Sequence, residues 1–105
     1  MSWVVVCSRH DIPAGRGWPV KVGHRRLAIF STSGGLRAVD NSCSHVGNPI
    51  DDASVEGEVM TCPWHGWRYD LRTGDHLTVF GHRPGLRTYP VRCEGDDVLV
   101  DVDPG

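Results

Sequence analysis

Short runs of β-branched and aromatic residues, broken every few positions by Gly, Pro or a polar cluster, set the rhythm of this chain. The runs Trp3–Cys7, Leu27–Ser31, Leu36–Asp40, Arg87–Arg92 and Val98–Val102 read as strands, because side chains branched at Cβ pack well on a pleated surface. Asp97-Val98-Leu99-Val100-Asp101-Val102 alternates apolar and acidic residues near its end, which predicts a strand with one buried face. Thr32-Ser33-Gly34-Gly35 reads as a turn whose glycines supply the positive φ of a tight hairpin, so the runs on either side of it should pair. No stretch carries a sustained helical period with a start cap and a stop. Strand signals thin out between Asn41 and Gly74, which predicts an all-β scaffold presenting loops.

Composition narrows the picture. At 105 residues the chain is one domain's worth of polymer, expected to fold as a single unit over 1–105. Hydrophobic residues at 39% and charged residues at 23% exclude the signature of disorder. The net charge of -2 offers no overall positive field for nucleic acid or an anionic membrane, so neither is an expected partner. No apolar run is long enough to span a bilayer, and Met1 to Ser8 lacks the basic and long apolar regions of an export signal. The expected location is the cytoplasm. In that compartment Cys7, Cys43, Cys62 and Cys93 point to metal rather than to two disulfides.

Two motifs carry the chemistry: Cys43-Ser44-His45, and Cys62-Pro63-Trp64-His65, with sixteen residues between His45 and Cys62. Each pairs one thiolate with one imidazole on a loop shaped by Gly47, Pro49, Pro63 and Gly66. Two Cys and two His suit either tetrahedral zinc or a [2Fe–2S] cluster, and ligand type alone does not choose. Zinc modules commonly keep their cysteines together and their histidines together, whereas here each loop holds one of each, the arrangement of Rieske centres.

Cys43-Ser44-His45-Val46-Gly47 and Cys62-Pro63-Trp64-His65-Gly66-Trp67-Arg68-Tyr69 resemble the two cluster-binding loops of the Rieske family. The similarity extends through Asp40, Tyr69-Asp70-Leu71-Arg72-Thr73-Gly74, Tyr89-Pro90-Val91 and Val98-Leu99-Val100 to the Rieske ferredoxins of bacterial ring-hydroxylating oxygenase systems. It implies an all-β, Rieske-type β-sandwich with a small cluster-binding subdomain inserted at about 41–74, and a third covering loop at Gly81-His82-Arg83-Pro84-Gly85. By that resemblance Cys43 and Cys62 hold the buried iron, and His45 and His65 hold the outer iron of one Rieske-type [2Fe–2S] cluster. The implied function is one-electron transfer from a flavin-dependent NAD(P)H reductase to a terminal oxygenase, with no catalytic residue in this chain. Other readings are the small Rieske subunit of a larger reductase such as nitrite reductase, the Rieske part of a hydroxylase, and a zinc-bound interaction module. The hydroxylase would need a further iron domain for which 105 residues leave no room.

Two thiolates and two neutral imidazoles leave an oxidised centre neutral, so it accepts an electron more readily than a four-thiolate one. Rieske potentials accordingly lie at about -150 to +300 mV. The respiratory members' extra cysteines and serine are replaced here by Asn48, Trp64 and Trp67, which points low, while Tyr69 stands where a phenol can donate to a cluster cysteine and raise the value. An intermediate-to-low potential is expected, falling as pH rises because oxidation acidifies the imidazole ligands.

Of the remaining residues, Cys7 and Cys93 are expected to be small buried hydrophobes, and His10, His24, His76 and His82 to be surface or loop histidines. Trp64 and Trp67 suit either core packing or an apolar docking rim with Val46, Pro49 and Ile50, and their place beside ligands that must approach solvent favours the rim. The acidic run Asp51, Asp52, Glu56 and Glu58 reads as a solvated loop.

Overall fold

The computed structural model describes residues 2–42, 49–63, 66–77 and 85–103, and they form three antiparallel sheets. The strands are β1 (Trp3–Ser8), β2 (Gly17–Val22), β3 (Arg25–Thr32), β4 (Gly35–Asp40), β5 (Ser54–Glu56), β6 (Val59–Thr61), β7 (Arg68–Asp70), β8 (Thr88–Tyr89), β9 (Val91–Glu94) and β10 (Asp97–Asp101). One sheet has the order β1-β10-β9 and the second β2-β3-β4-β8, while β5-β6-β7 forms a small third sheet inserted between β4 and β8. This is the expected all-β architecture with its inserted subdomain.

The second sheet is the middle layer. Leu27 and Ile29 of β3 face Val98 and Val100 of β10 in one apolar cluster, whereas Ala28 and Phe30 join Ile50, Met60, Cys62 and Tyr69 in another. All four β3 residues are fully buried, so this strand is covered on both faces. Its unbroken run Leu27-Ala28-Ile29-Phe30 is the sequence of a two-sided strand, since alternation marks only a strand with one wet face.

The Thr32-Ser33-Gly34-Gly35 turn joins β3 to β4 as expected, with Thr32 paired to Gly35 and Gly35 at φ +119°. Other expectations need correction. The run Arg87–Arg92 is two strands, because Pro90 has no amide hydrogen to continue a ladder. Tyr89 on its near side pairs with Ala38 of β4, and Val91 on its far side pairs with Val100 of β10. The Pro90 carbonyl accepts from the Asp101 amide at 3.0 Å, so the chain crosses between the sheets at this corner. β10 does not have a single buried face, for Val98, Leu99, Val100 and Asp101 are all buried. Asp101 tolerates this by accepting from the amides of Ser2 and Asp103 at 2.8 and 3.1 Å, and these bonds hold its carboxyl below the usual range.

β2 and the three subdomain strands were not legible as strands. β2 contains Pro19, which is tolerated because β2 is the edge of its sheet. Gly17 at its start is buried against the Phe30 ring, where a Cβ would sit only 2.8 Å from ring carbons. Cys7 and Cys93 both stand opposite Val98, on strands flanking β10. They are two strand spacings apart, roughly 10 Å, which is beyond disulfide reach. Both are free thiols, Cys7 half-buried and Cys93 exposed, so the buried expectation fails for Cys93. Burial first, then Asp11, pushes the Cys7 thiol up to about 11.

Candidate metal centre

Three chain segments converge on the apolar cluster that contains Cys62, and each is clamped at its base. The first loop leaves β4 at Asp40 and returns at Pro49. Asn41, 9% exposed, closes its two stems: its amide donates to the Arg26 carbonyl at 2.8 Å, and its Oδ1 accepts from the Ile50 amide at 2.7 Å. Its Nδ2 donates to Asp51 at 3.0 Å. Asn41 satisfies buried backbone from one side chain, a role that a single Asn before Ser42-Cys43 gives no signal of in the sequence.

The second loop connects β6 to β7. Cys62 begins it, 1% exposed, packed with Met60, Tyr69, Ile50 and Leu71. The Cys62 amide donates to the Trp67 carbonyl at 2.7 Å and its carbonyl accepts from the Gly66 amide at 3.0 Å. Gly66 at φ +70° supplies the left-handed residue this tight closure needs.

The third segment runs along β7. The Leu77 amide donates to the Arg68 carbonyl at 2.8 Å, and His76 bridges to Tyr69. The His76 ring meets Trp67 and Tyr69 edge-on, at centroid distances of 4.5 and 4.8 Å. Gly74 and Gly85 pass so closely that a Cβ on either would collide with backbone, and the Leu86 amide donates to the Gly74 carbonyl at 2.8 Å. His76 lies outside the named strands, as a loop histidine should, yet it packs into the site as a structural member.

The acidic run is only partly solvated. Glu58 accepts from Arg37 Nη2 at 2.7 Å and Nε at 3.1 Å and also from Thr32 Oγ1, which ties the β5–β6 turn to the β3–β4 hairpin. The Arg37 hydrogen bonds first, then that of Thr32, hold the Glu58 carboxyl below its ordinary value. Asp70 is held low in the same way, mainly by Arg72. Ile50 is fully buried and Trp67 packs half-buried on the core, so neither serves as an exposed apolar rim; Pro49 is exposed.

Among the expected ligands, Cys62 lies in the described residues; Cys43, His45 and His65 lie outside them, as do Val46, Trp64, His82 and most of the third covering loop. A buried thiol with a fully bonded backbone, in an apolar cluster shared with the stem of the first loop, fits a cysteine that holds a metal away from solvent. The chemistry of the full donor set, one Cys and one His per loop, fits a [2Fe–2S] cluster with mixed ligation.

Comparison with known proteins agrees. A family model described as the Rieske [2Fe-2S] domain matches residues 2–90. The chain is 33% identical over 101 residues to the ferredoxin component of a naphthalene 1,2-dioxygenase system from Pseudomonas aeruginosa, covering 96% of each chain. It is 37% identical to the ferredoxin component of a p-cumate 2,3-dioxygenase system from Pseudomonas putida, covering 94% of this chain and 85% of that one. Among solved structures, a ferredoxin of Sphingomonas yanoikuyae B1 superposes with a TM-score of 0.84 at 27% identity, covering 95% of this chain and 98% of that one. The chain belongs to the Rieske [2Fe-2S] domain family, and its cofactor is one Rieske-type [2Fe–2S] cluster.

Proposed function

We propose that this chain is a diffusible one-electron carrier of an oxygenase system, with Cys43 and Cys62 holding the inner iron and His45 and His65 the outer one. The observation that carries the reading is the buried Cys62 thiol at the head of a β-hairpin loop, packed with Ile50 beside the base of the loop that bears Cys43 and His45. The cluster supplies reversible uptake of a single electron. The chain's own residues do the rest. Ile50, Met60, Tyr69 and Leu71 keep water from the Cys62 side, while Asn41 fixes where the first loop leaves and re-enters the sheet. A rigid donor frame lowers the rearrangement that accompanies each change of charge.

The donor in this reading is a flavin-dependent NAD(P)H reductase and the acceptor a terminal oxygenase, as the relatives' place in dioxygenase systems suggests. No helix among the described residues is long and apolar enough to cross a membrane, and a cytoplasmic location goes with soluble partners. The test is recovery of the tagged chain from its native host at low and at moderate salt. A carrier is recovered alone at moderate salt, takes up one electron per chain, and consumes no oxygen with aromatic substrate. Recovery in fixed stoichiometry with a large reductase, resistant to salt, would make it a permanent subunit instead.

A further inference from the structure

The chain carries a net charge of -2, yet one cleft on it is strongly basic. The cleft has a volume of about 380 Å³; His24, Arg25, Arg26 and Arg87 line it, and the two stems of the first cluster loop, Ser42 and Pro49, form its edge. Its floor is Tyr89, whose hydroxyl donates to Asp40 at 2.6 Å and accepts from Arg25 at 3.2 Å. The Arg25 and Arg87 guanidiniums lie over the Tyr89 ring at 5.9 and 5.2 Å. The Arg25 and Arg87 guanidiniums thus crowd the ring that bonds the one carboxylate, Arg26 also lines the cleft, and no ion pair engages Arg25, Arg26 or Arg87 among the described residues.

The sheet bears a cost for this arrangement. Lys21 on β2 stands directly opposite Arg26 on β3, both exposed, and like charges in that position destabilise a ladder. A lysine on an edge strand discourages unwanted sheet pairing, which accounts for Lys21. It does not account for Arg87, which precedes β8 and reaches the cleft from a different segment of the chain. Unpaired positive charge held over a neutral ring, beside the segment that leads into Cys43, has the character of a binding surface.

We propose that this cleft is a docking site for a carboxylate-rich surface of the redox partner, steering it to the flank of the cluster. The inference rests on the electron-carrier reading. Oriented positive charge beside the stems of the first cluster loop raises the encounter rate with an acidic partner even though the whole molecule is slightly negative.

The test uses the reduced holoprotein and small oxidants of opposite charge, ferricyanide and tris(phenanthroline)cobalt(III), in stopped flow at low salt. The R26E/R87E variant should slow oxidation by ferricyanide about tenfold and speed oxidation by the cobalt complex, with R26Q/R87Q showing about half the effect on a logarithmic scale. A control of equal charge change on the β1-β10-β9 side, R9E/R92E, should move both rates far less. Poly-L-glutamate should bind the wild type and slow its oxidation by ferricyanide, and should leave R26E/R87E unaffected. Equal effects of the two reversals, or no effect of either, would overturn the docking site and leave the carrier intact. Protection by inorganic phosphate as strong as that by poly-L-glutamate would assign the cleft to a small anion and overturn the protein-docking proposal. A colourless holoprotein preparation would instead overturn the electron-carrier reading on which the proposal rests.

Discussion

The scaffold and the inserted subdomain are held together by different physics. Between the two larger sheets the contact is apolar and continuous: Leu27, Ile29, Ala38, Val98 and Val100 meet across β3, β4 and β10, strands of five to eight residues, and Tyr89 of the short β8 joins them. The subdomain sheet has strands of three residues, and beyond its share of core it depends on clips: Asn41 on Ile50, Arg37 on Glu58, Gly74 against Leu86. Strands that short bury little area, so their position has to be specified by directional bonds. The scaffold cluster contains none of the expected ligands, so the subdomain is where cofactor and fold should stabilise one another.

The sharpest break in that comparison is Cys62→Ser. It should abolish the visible absorption of the cluster while the far-ultraviolet spectrum keeps its strand signature and unfolding remains cooperative. Ile29→Ala acts on the other region. It removes a fully buried side chain from the scaffold core and should cost about 2–5 kcal/mol in chemical unfolding, with the cluster spectrum unchanged in the folded protein.

Asn41→Ala lies between the two. It strips the buried Ile50 amide of its acceptor, so a loss of about 1–3 kcal/mol is expected, together with faster bleaching by an iron chelator than Ile29→Ala shows. Equal bleaching in the two variants would mean that Asn41 does not position the loop.

Glu58→Gln should be the mildest, about 1 kcal/mol, because the amide keeps part of the hydrogen bonding to Arg37. Its sign with pH is fixed. The Glu58 carboxyl is held below its ordinary value, so its contribution is complete above that ordinary value and disappears as pH falls through the depressed one. The variant should therefore match the wild type in strong acid and fall behind it on the way to neutral pH; urea midpoints across that range provide the check.

The same division governs what the sequence disclosed. In the scaffold, Leu27–Ser31, Leu36–Asp40 and the turn between them were legible because pattern and turn chemistry agree there. The break at Pro90 and the edge strand around Pro19 were not, since a proline signals interruption without saying whether the chain stops, turns or changes sheets. In the subdomain the Cys-x-His and Cys-x-x-His spacings stood out, but three-residue strands produce no period to detect. Asn41, His76 and the Glu58–Arg37 pair act through contacts between residues distant in sequence, and no local pattern records them. Ile50 looked like a rim residue beside the first motif and is core, because the chain turns inward immediately after Pro49.

The central claim is mixed Cys and His ligation of one cluster by Cys43, His45, Cys62 and His65. It is tested most directly by EPR of the reduced protein with iron and sulfide counted on the same sample. About two irons and two sulfides per chain are expected, with the low average g value of a centre that has imidazole on one iron. An average g typical of four-thiolate ferredoxins, or a colourless protein holding one zinc, would contradict it.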